Sequence, residues 1–384
     1  MTATTWRRES QVLWRGWDRF DYIMLLAAIG LVVLGLLLIN SGSQEEYEGP
    51  LVSFANPVMK QMVFAFIGIV GMFIVSRIDY HYFIHYAWPL YAIGIVSLIG
   101  ILLIGDAAYG SRRWFDLGPV QVQPSEFAKI ATVLALATFF SNHGGDARDL
   151  RTLALSLAIV IPPAFLIFVE PDLGTAIVFM CIWLGVVLVA GVSRSHLVVM
   201  GAVGLALLPF VWTFAIADYQ IERVSVLIDS TSEGRALDEG YNVNQSKIAV
   251  GSGGLIGPGL GEGKQTQLGY LRVPTKDFIF SVLGEELGFV GCMGLFALFI
   301  LLLMRGIRAA QIAGDTAGQL VAVGIVVLIL MQAFINIAVN LSLFPVTGIP
   351  LPFVSQGGSS LVSLFFSLGL LQSIIMRHRA YRQT

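Results

Sequence analysis

Asp277 opens a long apolar run, in Pro274-Thr-Lys-Asp-Phe-Ile-Phe-Ser281. Lys276 stands before it, and Glu285 and Glu286 follow inside the run. A carboxylate at a water–membrane boundary, beside a flexible loop, is partly desolvated, which suits a general base. Aspartate is also a favoured helix N-cap, and the local sequence leaves both roles open. A second acid, Glu126, sits three residues before Lys129 in Gln123-Pro-Ser-Glu-Phe-Ala-Lys129. That spacing puts both charges on one helix face, where they pair. Ionisable groups at membrane depth face a cavity or each other, so the pair is either functional or a structural tie.

Arg112 and Arg113 lie in Gly110-Ser-Arg-Arg-Trp-Phe115. Adjacent guanidinium forks suit phosphate, and beside Trp114 they also suit lipid headgroups. Glu170-Pro-Asp-Leu-Gly174 joins two apolar runs by a short link. Its carboxylates can bind a cation or cap the next helix, and Asp172 at a helix start needs no role beyond capping. The glycine-rich stretch from Gly251 to Gly263 matches neither nucleotide-binding glycine pattern, because Pro258 stands where a first phosphate-loop glycine would be. Its glycines allow tight turns against a membrane surface or a ligand.

The elements that must carry these residues are membrane helices. Of the 384 residues, 56% are hydrophobic and only 12% charged, about half the charge fraction of a soluble domain. Mean hydropathy is +0.79. Apolar runs fall near 21–40, 57–76, 83–104, 125–140, 153–169, 173–191, 197–216, 278–304, 317–340 and 358–376. Their apolar character is continuous rather than alternating, which predicts helices and not barrel strands. The expected fold is all-α: one polytopic integral membrane domain over 1–384, with about ten transmembrane helices. The first run reads as a retained helix, with no cleavable signal evident. An N-terminus inside places thirteen arginines, from Arg7 to Arg382, on the inner side, and leaves the short outer loops only Arg112 and Arg113. Both termini are then cytoplasmic, and 217–277 is a large extracellular loop between helices 7 and 8. Ile221 to Ile228 in that loop reads as a short interfacial helix. Cys181 and Cys292 lie in apolar runs, and the five histidines form no metal-ligand spacing. The link from Phe344 to Ser360 is apolar yet too rich in proline and glycine for a simple helix, so it must line a cavity or pack on protein.

Six segments together resemble the SEDS family (shape, elongation, division and sporulation), which includes RodA and FtsW. They are Gly110-Ser-Arg-Arg-Trp-Phe, Gln123-Pro-Ser-Glu-Phe-Ala-Lys, Glu170-Pro-Asp-Leu-Gly-Thr-Ala, Tyr241-Asn-Val-Asn-Gln-Ser-Lys-Ile-Ala-Val-Gly-Ser-Gly-Gly-Leu, the run from Asp277 to Gly291, and Pro352-Phe-Val-Ser-Gln-Gly-Gly-Ser-Ser. Phe127 and the Gln267-Leu-Gly-Tyr-Leu271 run look closer to RodA. The resemblance implies a peptidoglycan glycosyltransferase of the bacterial cytoplasmic membrane, acting in cell elongation. It would polymerise lipid II, an undecaprenyl-diphosphate-linked disaccharide peptide, on the outer face. The family's essential aspartate falls on Asp277 and its membrane pair on Glu126 and Lys129. Arg112, Arg113, Lys129 and Lys276 are candidates to neutralise the diphosphate, with Glu285 and Glu286 supporting. A divalent cation, Mg or Mn, stays open. Implied partners are a class B penicillin-binding protein and other membrane proteins of the elongation complex, and no nucleic acid. The chain departs from the family at Thr275-Lys276, where His-Thr is usual, and at Gln356, where tyrosine is usual. The alternatives are a lipid II flippase, which suits many helices with a broken one, and a scaffold for the transpeptidase.

Overall fold

The computed structural model describes residues 17–44, 53–104, 113–116, 118, 121–143, 149–193, 195–196, 198–199, 201–202 and 239–377. Statements below concern these residues. The helices are α1 (Tyr22–Gly42), α2 (Pro57–Arg77), α3 (Tyr80–His85), α4 (Ala87–Ile104), α5 (Pro124–His143), α6 (Leu150–Val169), α7 (Leu173–Val189), α8 (Glu239–Ser252), α9 (Lys264–Gln267), α10 (Ile279–Glu286), α11 (Gly288–Ile312), α12 (Thr316–Asn340) and α13 (Gly358–Arg377). The only strands are two short antiparallel pieces before α5, β1 (Phe115–Asp116) and β2 (Gln121–Val122). Continuous Leu, Ile, Val and Ala runs have no water to bond their backbone in a bilayer, so they close their own hydrogen bonds as helices. Side-chain caps fix where the helices start. Asn56 accepts from Val58 and Met59 at the head of α2, ahead of Pro57, and Asp21, Asp79 and Asp315 cap α1, α3 and α12.

Seven described helices are long and apolar enough to cross a membrane: α1, α2, α4, α6, α11, α12 and α13. The apolar α7 is shorter, and the twenty-residue α5 carries the Glu126–Lys129 pair. The expected run 197–216 and the expected Ile221–Ile228 helix lie largely or wholly outside the described residues, as does Arg112. The count of ten is therefore neither reached nor refused. Within the described part of 217–277, α8 and α9 form. One expectation changes. The run 278–304 is not one helix, because it breaks between α10 and α11 at Gly288, whose φ is +60°.

The glycine-rich stretch causes that break. It packs onto the chain's own backbone at that junction. Phe289 and Val290 donate their N–H groups to the carbonyls of Gly254 and Leu255 at 2.9 and 3.0 Å, and Gly259 donates to Glu286 at 3.0 Å. These bonds satisfy the first N–H groups of α11, which a helix start cannot pair itself. Only glycine fits the approach: a Cβ on Gly257 would lie 2.1 Å from the Glu286 carbonyl oxygen.

α13 is buried almost throughout and forms the axis of the bundle, with α5 and α12 beside it. Small residues let it approach α2 closely, Gly369 against Val75 and Gly68 against Phe365. The outer helices present Leu26, Phe66, Val96 and Phe165 outward. The bundle has two unlike ends. At one, Arg305 pairs with Asp21, Arg377 reaches the carbonyls of Ser76 and Arg77, and Arg77 covers Trp17. At the other, the irregular segment 342–357 meets the start of α10, and Gly35 of α1 packs on Val354.

A Cβ at Gly35 would sit 2.4 Å from the Val354 carbonyl oxygen, whereas one at Gly71 meets nothing within 4 Å. Gly35→Ala is expected to destabilise by about 1–3 kcal/mol despite better helix propensity, and Gly71→Ala to be neutral or stabilising. Thermal melting in detergent compares the two.

Candidate active site

Asp277 is placed by its neighbours' amides. Asn336 and Asn340, one turn apart at the end of α12, both donate to the Asp277 carbonyl oxygen, at 3.1 and 2.9 Å. Asn340 also accepts from the Ser281 N–H and hydroxyl, at 3.0 and 2.7 Å. The Ser281 N–H is one an N-cap side chain would take, and Asn340 takes it instead. The N-cap of α10 is Phe278, with no side-chain cap bond. From the other side, Ser355 donates to the Lys276 carbonyl at 2.6 Å, and the Gln356 N–H to the Thr275 carbonyl at 2.9 Å. Gln61 of α2 ties this segment down, donating to the Ser355 carbonyl and accepting from the Gly357 N–H. Two of the three positions expected to depart from the family pattern touch: the Thr275 hydroxyl donates to Gln356 Oε1 at 2.9 Å.

Gly348 connects Asp277 to Arg113. A Cβ at Gly348 would lie 4.0 Å from Asp277 Oδ2 and 3.8 Å from Arg113 Nη1, so carboxylate and guanidinium face one small space that a side chain would enter. The φ of +71° at Gly348 suits glycine as well. Arg113 is anchored through its other donors, Nε to the Glu170 carbonyl at 3.0 Å and Nη2 to the Pro171 carbonyl. Its Nη1 stands 3.9 Å from Asp172 Oδ2. Asp172 caps α7, accepting from the Thr175 N–H and hydroxyl at 3.1 and 3.0 Å. Burial, then the neighbouring Asp172 charge, push the Glu170 carboxyl up to about 8, with Arg113 pulling the other way. Lys276, next to Asp277, is exposed.

Glu126 and Lys129 do pair, Nζ to Oε1 at 2.8 Å, with both side chains buried. Ser363 of α13 is 3.4 Å from Glu126 Oε2. These contacts lead to the axis of the bundle, and no described contact joins the pair to Asp277 or Arg113. Glu285 accepts from the N–H groups of Gln265 and Thr266 at the head of α9, and Glu286 accepts from Ser41 of α1 and from Gln267. Both therefore hold the loop ahead of Asp277 onto the bundle. Among the described residues no three His, Cys, Asp or Glu gather as metal ligands. A separate apolar cavity of about 320 Å³ lies between α4 and α5, lined by Leu90, Ile93, Phe115, Phe127, Leu134 and Phe366. The sequence reading missed Asn336, Asn340 and Gln61. Their signal was an amide side chain near the end of an otherwise apolar run.

The chain matches the FtsW, RodA and SpoVE family, described as cell cycle proteins, over residues 21–380, and it belongs to that family. Among its relatives is the peptidoglycan glycosyltransferase MrdB of Escherichia coli K12, 38% identical over 360 residues, covering 93% of this chain and 94% of the relative. Stage V sporulation protein E of Bacillus subtilis is 36% identical over 92% of this chain and 96% of its own. In three dimensions the chain resembles a subunit of a peptidoglycan synthase complex that coordinates polymerization and crosslinking (TM-score 0.79, 30% identity, 95% of this chain and 99% of that one). It also resembles the rod shape determining protein RodA of Thermus thermophilus (TM-score 0.67, 28% identity, 95% and 98%).

Two stability measurements follow from this geometry. Glu126→Ala leaves a buried lysine unpaired and is expected to cost about 3–5 kcal/mol, while the double change Glu126→Leu with Lys129→Met restores the melting temperature. Glu170 has its carboxyl raised from 4.5 to about 8 in the folded chain, so between those values the unfolded chain ionises first. Its burial then lowers stability progressively as pH rises through that window. Glu170→Gln is expected to melt at the parent's temperature at pH 4.5 and above it at pH 8.

Proposed function

We propose that the protein is a peptidoglycan glycosyltransferase that polymerises lipid II, with Asp277 as general base and Arg113 as a diphosphate-binding group. The observation that carries this is the shared space at Gly348, where an acid and a cation held by separate elements converge. The donor sugar of lipid II is α-linked to diphosphate and the product link is β-1,4, so the anomeric carbon inverts. A single base suffices: Asp277 takes the proton of the acceptor's 4-hydroxyl as that oxygen attacks. The departing diphosphate needs charge neutralisation rather than a proton, and Arg113 Nη1 is aimed for it, with Lys276 adjacent and Arg112 next in sequence. Glu126–Lys129 acts as an internal tie in this reading. The apolar cavity between α4 and α5 offers a seat for part of the polyprenyl chain.

The arginine-rich end of the bundle belongs in the cytoplasm by the positive-inside rule, which puts Asp277 at the outer face, where the growing strand must be. The structural relative from a synthase complex supports a crosslinking partner, a class B penicillin-binding protein. A role in cell elongation follows the RodA-like relatives.

Purified protein with its partner is given lipid II in detergent, and products are resolved on a gel. Asp277→Asn is expected to lower polymerisation about 10²–10⁴-fold, as removal of a general base does. Arg113→Ala is expected to cost roughly 10²-fold, and Arg113→Lys to recover part of it. Normal strands from Asp277→Asn would refute the base assignment. Polymer made in detergent, where there are no sides to cross, separates this enzyme from a flippase.

A further inference from the structure

Glu170 is the buried acid that the proposed mechanism does not use. Only 4% of it is exposed, and its Oε1 has no hydrogen-bond partner among the described residues. It ends α6, one residue before Pro171. Its own carbonyl and that of Pro171 hold the Arg113 fork. The acid is thus built into the bracket of the guanidinium that faces Asp277 across Gly348.

We infer that Glu170 is a positioning residue for substrate charge: kept neutral, it leaves Arg113 cationic toward the pocket, and once ionised it cancels Arg113 and weakens diphosphate binding. The inference deepens the proposed function and rests on its reading of Arg113. While Glu170 is neutral, Asp172 offsets Arg113 only in part: its Oδ2 stands 3.9 Å from Nη1 and also accepts from the Thr175 hydroxyl. A second carboxylate there would complete the cancellation, next to the Asp277 carboxylate. Like charges crowded in a poorly solvated site repel an anionic ligand. The other charged or titratable groups on elements packed against α6 do not compete. Glu126 and Lys129 satisfy each other, Tyr91 is bonded to the Ile159 carbonyl, and His143 and Arg151 lie at the opposite end of α5 and α6. From the irregular segment, Thr347 brings only a hydroxyl, also without a partner. The raised carboxyl, at about 8, places the change just above neutrality. Linkage requires the reverse effect too: bound diphosphate holds the proton on Glu170.

The probe is a lipid-linked disaccharide diphosphate lacking its 4-hydroxyl and its peptide. It cannot extend, and its diphosphate diester does not titrate between about pH 6 and pH 10. Binding to the full-length protein in detergent is followed across that range. The parent Kd is expected to rise about tenfold between pH 7 and pH 9.5, one pKa unit's worth of coupling. Glu170→Gln is expected to flatten that rise, and Glu170→Asp to keep it. In polymerisation of lipid II, kcat/KM should fall over the same alkaline range in the parent and not in Glu170→Gln. An undiminished rise in Glu170→Gln overturns the inference, and so does a pH-independent parent Kd. A kcat lost at every pH with KM flat would make Glu170 a participant in the chemistry and also overturns it. Arg113→Ala separates the two levels. If it weakens probe binding while the parent shows no pH dependence, only the role of Glu170 falls. If it leaves probe binding intact, the reading of Arg113 falls, and this inference with it.

Discussion

Irregular backbone inside an apolar bundle must find every hydrogen-bond partner within the protein, and that constraint shapes everything around Asp277. At this end the described chain leaves helix at 342–357 and in the turns before α10, among other places. Bare carbonyls and N–H groups there would cost several kcal/mol each if left unmet in hydrocarbon. Amide side chains meet them. Gln61 holds the Ser355 carbonyl and the Gly357 N–H onto α2, Asn336 donates to the carbonyls of both Asp277 and Ile349, and Asn340 binds the Asp277 carbonyl and the Ser281 N–H. Asp277 inherits its position from bonds made to its backbone. Asn336 and Asn340 hold its carbonyl from one helix.

The same economy explains the glycines. The stretch after α8 reads as a loop and behaves as a plug: its carbonyls cap α11, and its missing side chains let it lie on the backbone of the α10–α11 junction. Glu285 and Glu286, acids at the end of a buried helix, hold the other end of that plug by the head of α9 and by Ser41. Charged groups in this region therefore divide by what they touch. Those bonded to the chain's own amides and hydroxyls build the platform, while Arg113 and Asp277 both come within 4.0 Å of a Cβ placed on Gly348.

The helical, membrane-spanning character was legible from continuous apolar runs, and the family from six motifs in order. The pairing of Glu126 with Lys129 was legible too, because a three-residue spacing leaves little choice of geometry. The juxtaposition of Arg113 with Asp277 was not. Those residues are far apart in sequence, and they meet through a glycine with no side chain to advertise a contact. The break at Gly288 was hidden for a related reason. The apolar run continues through it, and the cause lies in a loop some thirty residues upstream.

The reciprocal bonds between Thr275 and Gln356 have an evolutionary corollary. Each residue completes the other, through one side-chain bond and one backbone bond. A variant that replaced one of the two side chains alone would keep half a handshake and strand a polar atom near the acid. The two sites should therefore drift together across lineages, and graft successfully between orthologues only as a set.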